Sequence, residues 1–469
     1  MRTPCLKALA GLFLASCLVT PVMAETLSDA LRQAYDESPR LESERARLRA
    51  TDELVPQALS GWRPLVRATS GYTIDRQQDE GPYVPRSDAE GNSNADVLYQ
   101  FDAGLTAQQS LYAGGETVAQ TRRAENQVRS QRARLDDVEQ AVLLDVVEAY
   151  AAVVRARQVL VYSEQNLDRL IRYLEGVQDR FRLAELTTTD VAQARSRVAG
   201  AEADLARARN ELETATADFE RAVGQPPGEL APVKPLAGLP GTVDEALAMA
   251  ARNPRVVQAG FDLEAARAQV RVDEAQLLPD LNLVGELSHR TQPQIGLHSR
   301  QNASIGAQLV VPIYQRGAEY SRVRQSKQTA IQRRYDLSDA ERNIRREVLA
   351  SFDAVRTARE QIASLDEQVR AALEARDGTR EEAIAGARTV LDLLDAELEL
   401  FLAQIRRERA VEQEVVATYR LKAAVGELRL ADLGFGEPHY DPEQYYNQVR
   451  DRWFGLAVAD PAWTPTAAP

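Results

Sequence analysis

Asp392 and Asp395 lie three positions apart, a spacing that puts two carboxylates on one face of a helix. Arg388 and Thr389 come just before them, and Thr187, Thr189 and Asp190 occupy a related stretch earlier in the chain. Thr187 with Asp190, and Thr389 with Asp392, also have the spacing of helix capping boxes, in which an acid three residues on satisfies the backbone N–H groups of a helix start. Capping and a solvent-facing acidic pair are both open from these residues alone. Little else could do chemistry. His289, His298 and His439 are scattered, and Cys5 and Cys17 are the sole cysteines, so no zinc-type spacing is present. No nucleophile motif, phosphate loop or dinucleotide fingerprint appears. The chain reads as a non-enzyme with no cofactor and no metal.

Composition narrows the partners. Lys and Arg total 57 against 70 Asp and Glu, a net charge of -13, which argues against nucleic acid. With 44% hydrophobic and 27% charged residues, the chain is too polar for a bundle of membrane helices. Residues 1–24 read as a secretory signal peptide: Arg2 and Lys7 precede the apolar run Ala8 to Val19, and Val22-Met23-Ala24 has a small-residue cleavage pattern. Cleavage there removes both cysteines. A second reading is the lipoprotein-like box Leu14-Ala15-Ser16-Cys17, which would leave Cys17 lipidated.

The elements that position the acids are long. Gly115 to Phe181 contains no proline, and Leu135, Val138, Val142, Val146, Tyr150 and Val153 recur at helical spacing. This predicts one helix of roughly 100 Å at about 1.5 Å per residue. Leu337, Ile344, Val348, Phe352 and Val355 repeat the pattern 202 positions later, the same offset that separates Asp190 from Asp392. The chain is therefore built twice. Returning helices are predicted over Thr189 to Val223 and Thr389 to Val425, and Thr242 to Pro254 restates Thr26 to Pro39.

Between these helical stretches the period drops to two. Val66, Ala68, Ser70, Tyr72 and Ile74 alternate with polar residues, as do Tyr99, Phe101, Ala103, Leu105 and Ala107, with a loop predicted over Gln77 to Asn94. Two further strands carry Leu281, Leu283, Gly285 and Leu287, and Ala303, Ile305, Ala307, Leu309 and Val311, with a loop predicted from Arg290 to Gln301. Four strands with one apolar and one polar face fit a boundary between lipid and water, yet are too few to close a barrel, and open edges are not tolerated in lipid. Either several chains contribute to one barrel, or the strands form a small soluble sheet capped by helices.

The duplicated start, the paired hairpins, Leu111-Tyr112-Ala113-Gly114-Gly115, Pro312-Ile313-Tyr314-Gln315-Arg316-Gly317 and the inter-helix turns together resemble the TolC family of outer-membrane channel proteins, from Thr26 to about Leu433. The resemblance implies a mainly α fold with a small β part: duplicated coiled-coil hairpins forming a periplasmic α-barrel, and four strands per chain contributing to a trimeric 12-stranded transmembrane β-barrel. On that reading the chain divides into a signal peptide (1–24), a first structural repeat (25–227), a linker (228–241), a second repeat (242–436) and a C-terminal tail (437–469), the last poorly ordered or peripherally packed.

The function implied is an outer-membrane exit duct of a tripartite export system, for type I protein secretion or efflux. Its partners would be two further copies of the chain, outer-membrane lipid, a periplasmic adaptor and an inner-membrane ABC or proton-driven transporter. By the same resemblance Asp392 and Asp395 narrow a closed periplasmic entrance, six carboxylates in a threefold assembly, and Arg388 matches an arginine that restrains the coils against Thr189 and Asp190. One departure stands out: Ala383 occupies the place of a tyrosine that shares this restraint in related channels. Alternative readings are a multidrug or metal efflux duct within the family, and outside it a soluble periplasmic coiled-coil adaptor or structural protein.

Overall fold

The computed structural model describes residues 24–78, 95–294, 297–434 and 440–458. The signal-peptide reading, both cysteines and most of the loop expected between the first two strands lie outside these residues. The chain begins with α1 (Leu27–Glu37), α2 (Pro39–Asp52) and α3 (Leu54–Leu59), followed by β1 (Leu65–Gln78) and β2 (Ala95–Ala113). A 67-residue helix, α4 (Glu116–Arg182), and its return partner α5 (Thr188–Val223) complete the first half. The second half repeats the order with α6 (Val243–Ala250), α7 (Pro254–Ala275), β3 (Asp280–Gln294), β4 (Leu297–Val310), α8 (Ala318–Ile384, again 67 residues) and α9 (Val390–Ala424). A short α10 (Gln444–Val449) follows.

Equivalent helix starts use equivalent chemistry. The hydroxyl of Thr26 accepts from the Asp29 N–H at 3.3 Å, and that of Thr242 accepts from the Glu245 N–H at 3.2 Å. Pro39 and Pro254 occupy the first turns of α2 and α7, where a missing N–H costs nothing. The turns into the long helices also match in backbone. Gly114 and Arg316 have φ of 59° and 61°, and Gly115 and Gly317 have φ of 83° and 85°. Gly114 has no room for a side chain, since a Cβ there would lie 2.7 Å from the Ala275 carbonyl oxygen, whereas Gly317 is open.

The four strands form one antiparallel sheet in the order β1-β2-β3-β4. Its register gathers the alternating residues onto one face: Tyr72 opposes Phe101, Ala68 opposes Leu105, Leu105 opposes Leu287, and Leu287 opposes Ala303. The other face carries Thr69, Gly104, Ser288 and Asn302, with an Arg290–Asp102 ion pair between directly opposed residues. β1 and β4 are the edges of the sheet. The second hairpin is tighter than expected, because β3 continues to Gln294 and β4 starts at Leu297, so the predicted Arg290 to Gln301 loop is mostly strand.

The chain packs as two compact units, each taking segments from both halves. Of the described residues, the first comprises 24–34, 145–235 and 361–416. Its core includes Leu170 and Val177 of α4, Val191, Ala194 and Ala201 of α5, and Leu394 of α9, each buried leucine or valine contributing roughly 1.5–3 kcal/mol by leaving water. Tyr150, fully buried against Phe219, has its hydroxyl 2.7 Å from the Glu25 carbonyl and 2.8 Å from that of Ala231. Burial pushes that phenol up to about 12, so it stays a hydrogen-bond donor throughout the physiological range.

The second unit takes the described residues of 35–144, 236–360 and 417–458 and contains the sheet. Ala246 and Ala250 of α6, Ile344, Val348 and Val355 of α8, and Leu421, Ala424 and Val425 form one of its apolar clusters. The Asn253 side chain donates to the Ala424 carbonyl at 3.0 Å, closing the end of α9, and Gly426 (φ 86°) passes so near that a Cβ would lie 2.8 Å from the Asn253 Cα. Arg255 bridges Asp137 at 2.8 Å and Glu347 at 3.0 Å, tying α7 to α4 and α8.

The chain after α9 packs on this unit. Glu443 pairs with Arg132 at 2.7 Å, the Tyr445 hydroxyl donates to Glu53 at 2.8 Å, and Arg45 stacks on Tyr440 at 5.0 Å. At the end of α2, beside Arg132, Asp52 is fully buried and neither carboxylate oxygen meets a protein donor. Desolvation pushes its carboxyl up to about 7 despite the nearby Arg132 charge.

Candidate functional site at the helical tip

Both long hairpins turn in the same way. After α4, the Ala184 N–H donates to Phe181 at 2.9 Å and the Glu185 N–H to Arg180 at 3.0 Å; after α8, Gly386 donates to Ala383 at 3.2 Å and Ala387 to Glu382 at 2.9 Å. This is the Schellman stop, which needs a left-handed residue. Gly386 supplies it at φ 77° without strain, while Ala184 adopts φ 60° at a cost of roughly 1–2 kcal/mol.

The return helices then start with complete capping boxes. Asp190 Oδ2 accepts from the Thr187 backbone N–H and hydroxyl, both at 2.8 Å, and Asp392 Oδ2 accepts from the Thr389 N–H at 3.0 Å and hydroxyl at 2.7 Å. The Thr187 backbone and side-chain hydrogen bonds hold the Asp190 carboxyl below its ordinary range. For Asp392 the Thr389 hydroxyl acts first, then its N–H, with Arg388 assisting. Both acids are therefore ionised and oriented at neutral pH.

Of the remaining predicted residues, one turns to a partner in its own turn and one reaches across to α5. Arg388 pairs with Glu382 at 2.9 Å, with both side chains about half exposed, and Asp395 accepts from Arg197. Thr189 is exposed in the first turn of α5. The structure thus brings the two turns together through Leu186, Val191, Val390 and Leu394, but gives Asp392 and Asp395 different partners: the first caps its own helix and the second ties α9 to α5.

The sequence reading missed a third acid of the same helix stretch. Glu397 is completely buried, accepting from Arg169 at 3.0 Å and from Tyr173 at 3.1 Å, with Arg376 at 3.4 Å. One carboxylate thereby joins α4, α8 and α9. Its only signal in the sequence is its position between Leu394 and Leu400 on the apolar side of α9. Within six residues α9 directs three acids to three tasks, capping, pairing with α5 and pinning the two long helices.

Among the described residues no helix is long and apolar enough to cross a membrane. The profile of the outer membrane efflux protein family matches residues 30–225 and 246–427, one match per structural half. The chain belongs to this family. An outer membrane efflux protein, BepC of Brucella suis, is 32% identical over 440 residues, covering 93% of each chain. The outer membrane protein TolC of Vibrio cholerae is 27% identical, covering 91% of this chain and 97% of its own. The crystal structure of the CmeC outer membrane channel of Campylobacter jejuni superposes with a TM-score of 0.77 at 14% identity, over 91% of this chain and 89% of that one, showing a shared fold. Family membership places the protein in the outer membrane with a helical periplasmic extension, as a conduit rather than an enzyme. It also sets aside the alternative of a poreless periplasmic adaptor.

Proposed function

We propose that the protein is the trimeric exit duct of a tripartite export system, passive and gated at its periplasmic helical tip. The observation that carries this reading is the sheet: four strands with one continuous apolar face and two unpaired edges. In lipid such edges must be closed, and pairing β4 of one copy with β1 of the next in a threefold ring gives a closed barrel of twelve strands, within the range of outer-membrane barrels. The polar face then lines a water-filled lumen. An inner-membrane ABC or proton-driven transporter, joined to the duct by a periplasmic adaptor, supplies the energy that the duct lacks, and protein secretion and small-molecule efflux both fit its plan.

The gate comprises Thr189, Asp190, Arg388, Asp392 and Asp395. Capping fixes Asp392 with its charge intact, so three copies place three ionised carboxylates around the entrance, and the Asp395 carboxylates join them when α9 moves away from Arg197. With Ala383 in place of the larger aromatic and Arg388 paired to Glu382 inside its own turn, the ion pair that ties α5 to α9 is Arg197–Asp395. Single-channel conductance in planar bilayers tests this: Asp392→Asn/Asp395→Asn should lose cation selectivity, and Arg388→Glu alone, or Asp190→Asn alone, should raise the closed-state conductance. Trimers that insert and show unchanged selectivity in the first variant would count against the acidic entrance.

A further inference from the structure

The chain beyond α10 folds back to the foot of the sheet and builds a small loop with its apolar side chains outward. Arg63, two residues before β1, donates to the Arg452 carbonyl at 2.8 Å and stacks its guanidinium on the Trp453 ring at 4.9 Å. The Arg452 side chain fills the inside of the loop, donating to the carbonyls of Phe454 and Ala457, each at 3.1 Å. Gly455 makes the turn at φ 110°, where a Cβ would lie 2.6 Å from the Arg452 guanidinium. A fixed scaffold thus presents Trp453 at 58%, Phe454 at 86% and Leu456 at 100% exposure, an uncommon cost for a packed segment unless something covers them.

Two features of the surroundings indicate what covers them. Trp62 and Leu65, at the start of the strand, are also half exposed, so the loop continues the apolar margin of the sheet at the end where the strands meet the helices. Arg63 lies under the Trp453 ring, and the charged residues just before that ring are Arg450, paired with Glu125 at 3.6 Å, the exposed Asp451, and Arg452, whose guanidinium is held inside the loop. Tryptophan beside arginine, with neighbouring phenylalanine and leucine, is the composition of a segment lying at the boundary of phosphate headgroups and acyl chains. We infer that the Trp453-Phe454-Gly455-Leu456 loop is a membrane-interface foot that docks into phospholipid of the leaflet around the helix-side end of the barrel, pinned to β1 by Arg63. The inference rests on the sheet spanning the membrane.

The test uses the full chain with Trp453 as its single tryptophan (Trp62→Phe, Trp463→Phe), reconstituted in phosphatidylethanolamine/phosphatidylglycerol vesicles. Flotation first shows whether the barrel is inserted; a protein that does not float refutes the membrane-spanning reading on which the foot depends. In floated vesicles, Trp453 emission should fall about twofold with lipids brominated near the headgroup end of the acyl chain and less with deeper bromines, the depth expected of an interfacial segment. Phe454→Asp/Leu456→Asp should float equally well but lose the quenching. Unquenched Trp453 in floated protein overturns the inference, and crosslinking between copies from a photoreactive group at position 454 would show that a neighbouring subunit covers the loop instead.

Discussion

Replacing Asp52 by asparagine should strengthen the attachment of α2 at neutral pH, although it removes a charge near an arginine. In the folded protein this carboxyl is buried without a donor and titrates at about 7, against 3.8 when exposed. Below the exposed value the acid is protonated in both states and costs nothing. As pH rises from about 4 to 7, opening the site releases a proton that the folded site retains, so wild-type stability falls by about 1.4 kcal/mol per pH unit, then levels off. The accumulated penalty is of the order of 4 kcal/mol at pH 7 and above, an upper figure because water reaching the site would relieve part of it. Asparagine cannot ionise, so Asp52→Asn should lack this slope. Hydrogen exchange of purified protein, measured from pH 5 to 8 and corrected for intrinsic rates, reads the opening free energy of the peptide spanning 45–53 directly. The wild type should lose protection across that window while the variant holds it. Parallel profiles for the two proteins would refute the reasoning, and a variant less protected at every pH would show that Arg132 needs the charge.

Other expectations concern the packing. Glu397→Gln should destabilise the tip by roughly 3–5 kcal/mol by leaving Arg169 without its carboxylate and Arg376 with Asp377 alone, seen as faster proteolysis of the α8–α9 turn, whereas Asp395→Asn, at an exposed pair, should change it little. Ala184→Gly should stabilise the first turn by about 1 kcal/mol by relieving its left-handed alanine, measurable as increased protection of residues 180–188. Gly426→Ala should do the reverse in the second unit, forcing Asn253 from the end of α9; a thermal midpoint equal to wild type would contradict the close approach of the two backbones.

The long helices and the strands were legible because each repeats one physical rule many times: tens of residues without proline and with apolar spacing for α4 and α8, and strict alternation for β1 and β2. The caps were legible too, since Thr-x-x-Asp is a local pattern whose acid and hydroxyl meet within one turn. What the sequence hid depends on single residues or distant partners. The second hairpin looked like a loop beyond Arg290 because a strand polar on both faces shows no alternation. The initial helical arm is broken twice, at Ser38 before Pro39 and again at Glu53 between α2 and α3. Glu397 is one acid among several on α9, and only the placement of Arg169 and Arg376 by two other helices makes it a pin. The contacts of the tail, such as Glu443 with Arg132, join residues more than 300 positions apart, and α10 is too short for a period to show.

The equal length of α4 and α8 constrains how the protein can change size. One added residue turns everything beyond it by about 100°, which would swing Arg376 away from Glu397 or Tyr173 off its acid. Seven added residues, inserted at matched levels in α4, α5, α8 and α9, restore the facing of every side chain to within about 20° and lengthen each helix by about 10 Å. The reach of the helical extension is thus quantised: a lineage, or an engineer, can fit it to a wider or narrower periplasm in whole heptads added to both hairpins together.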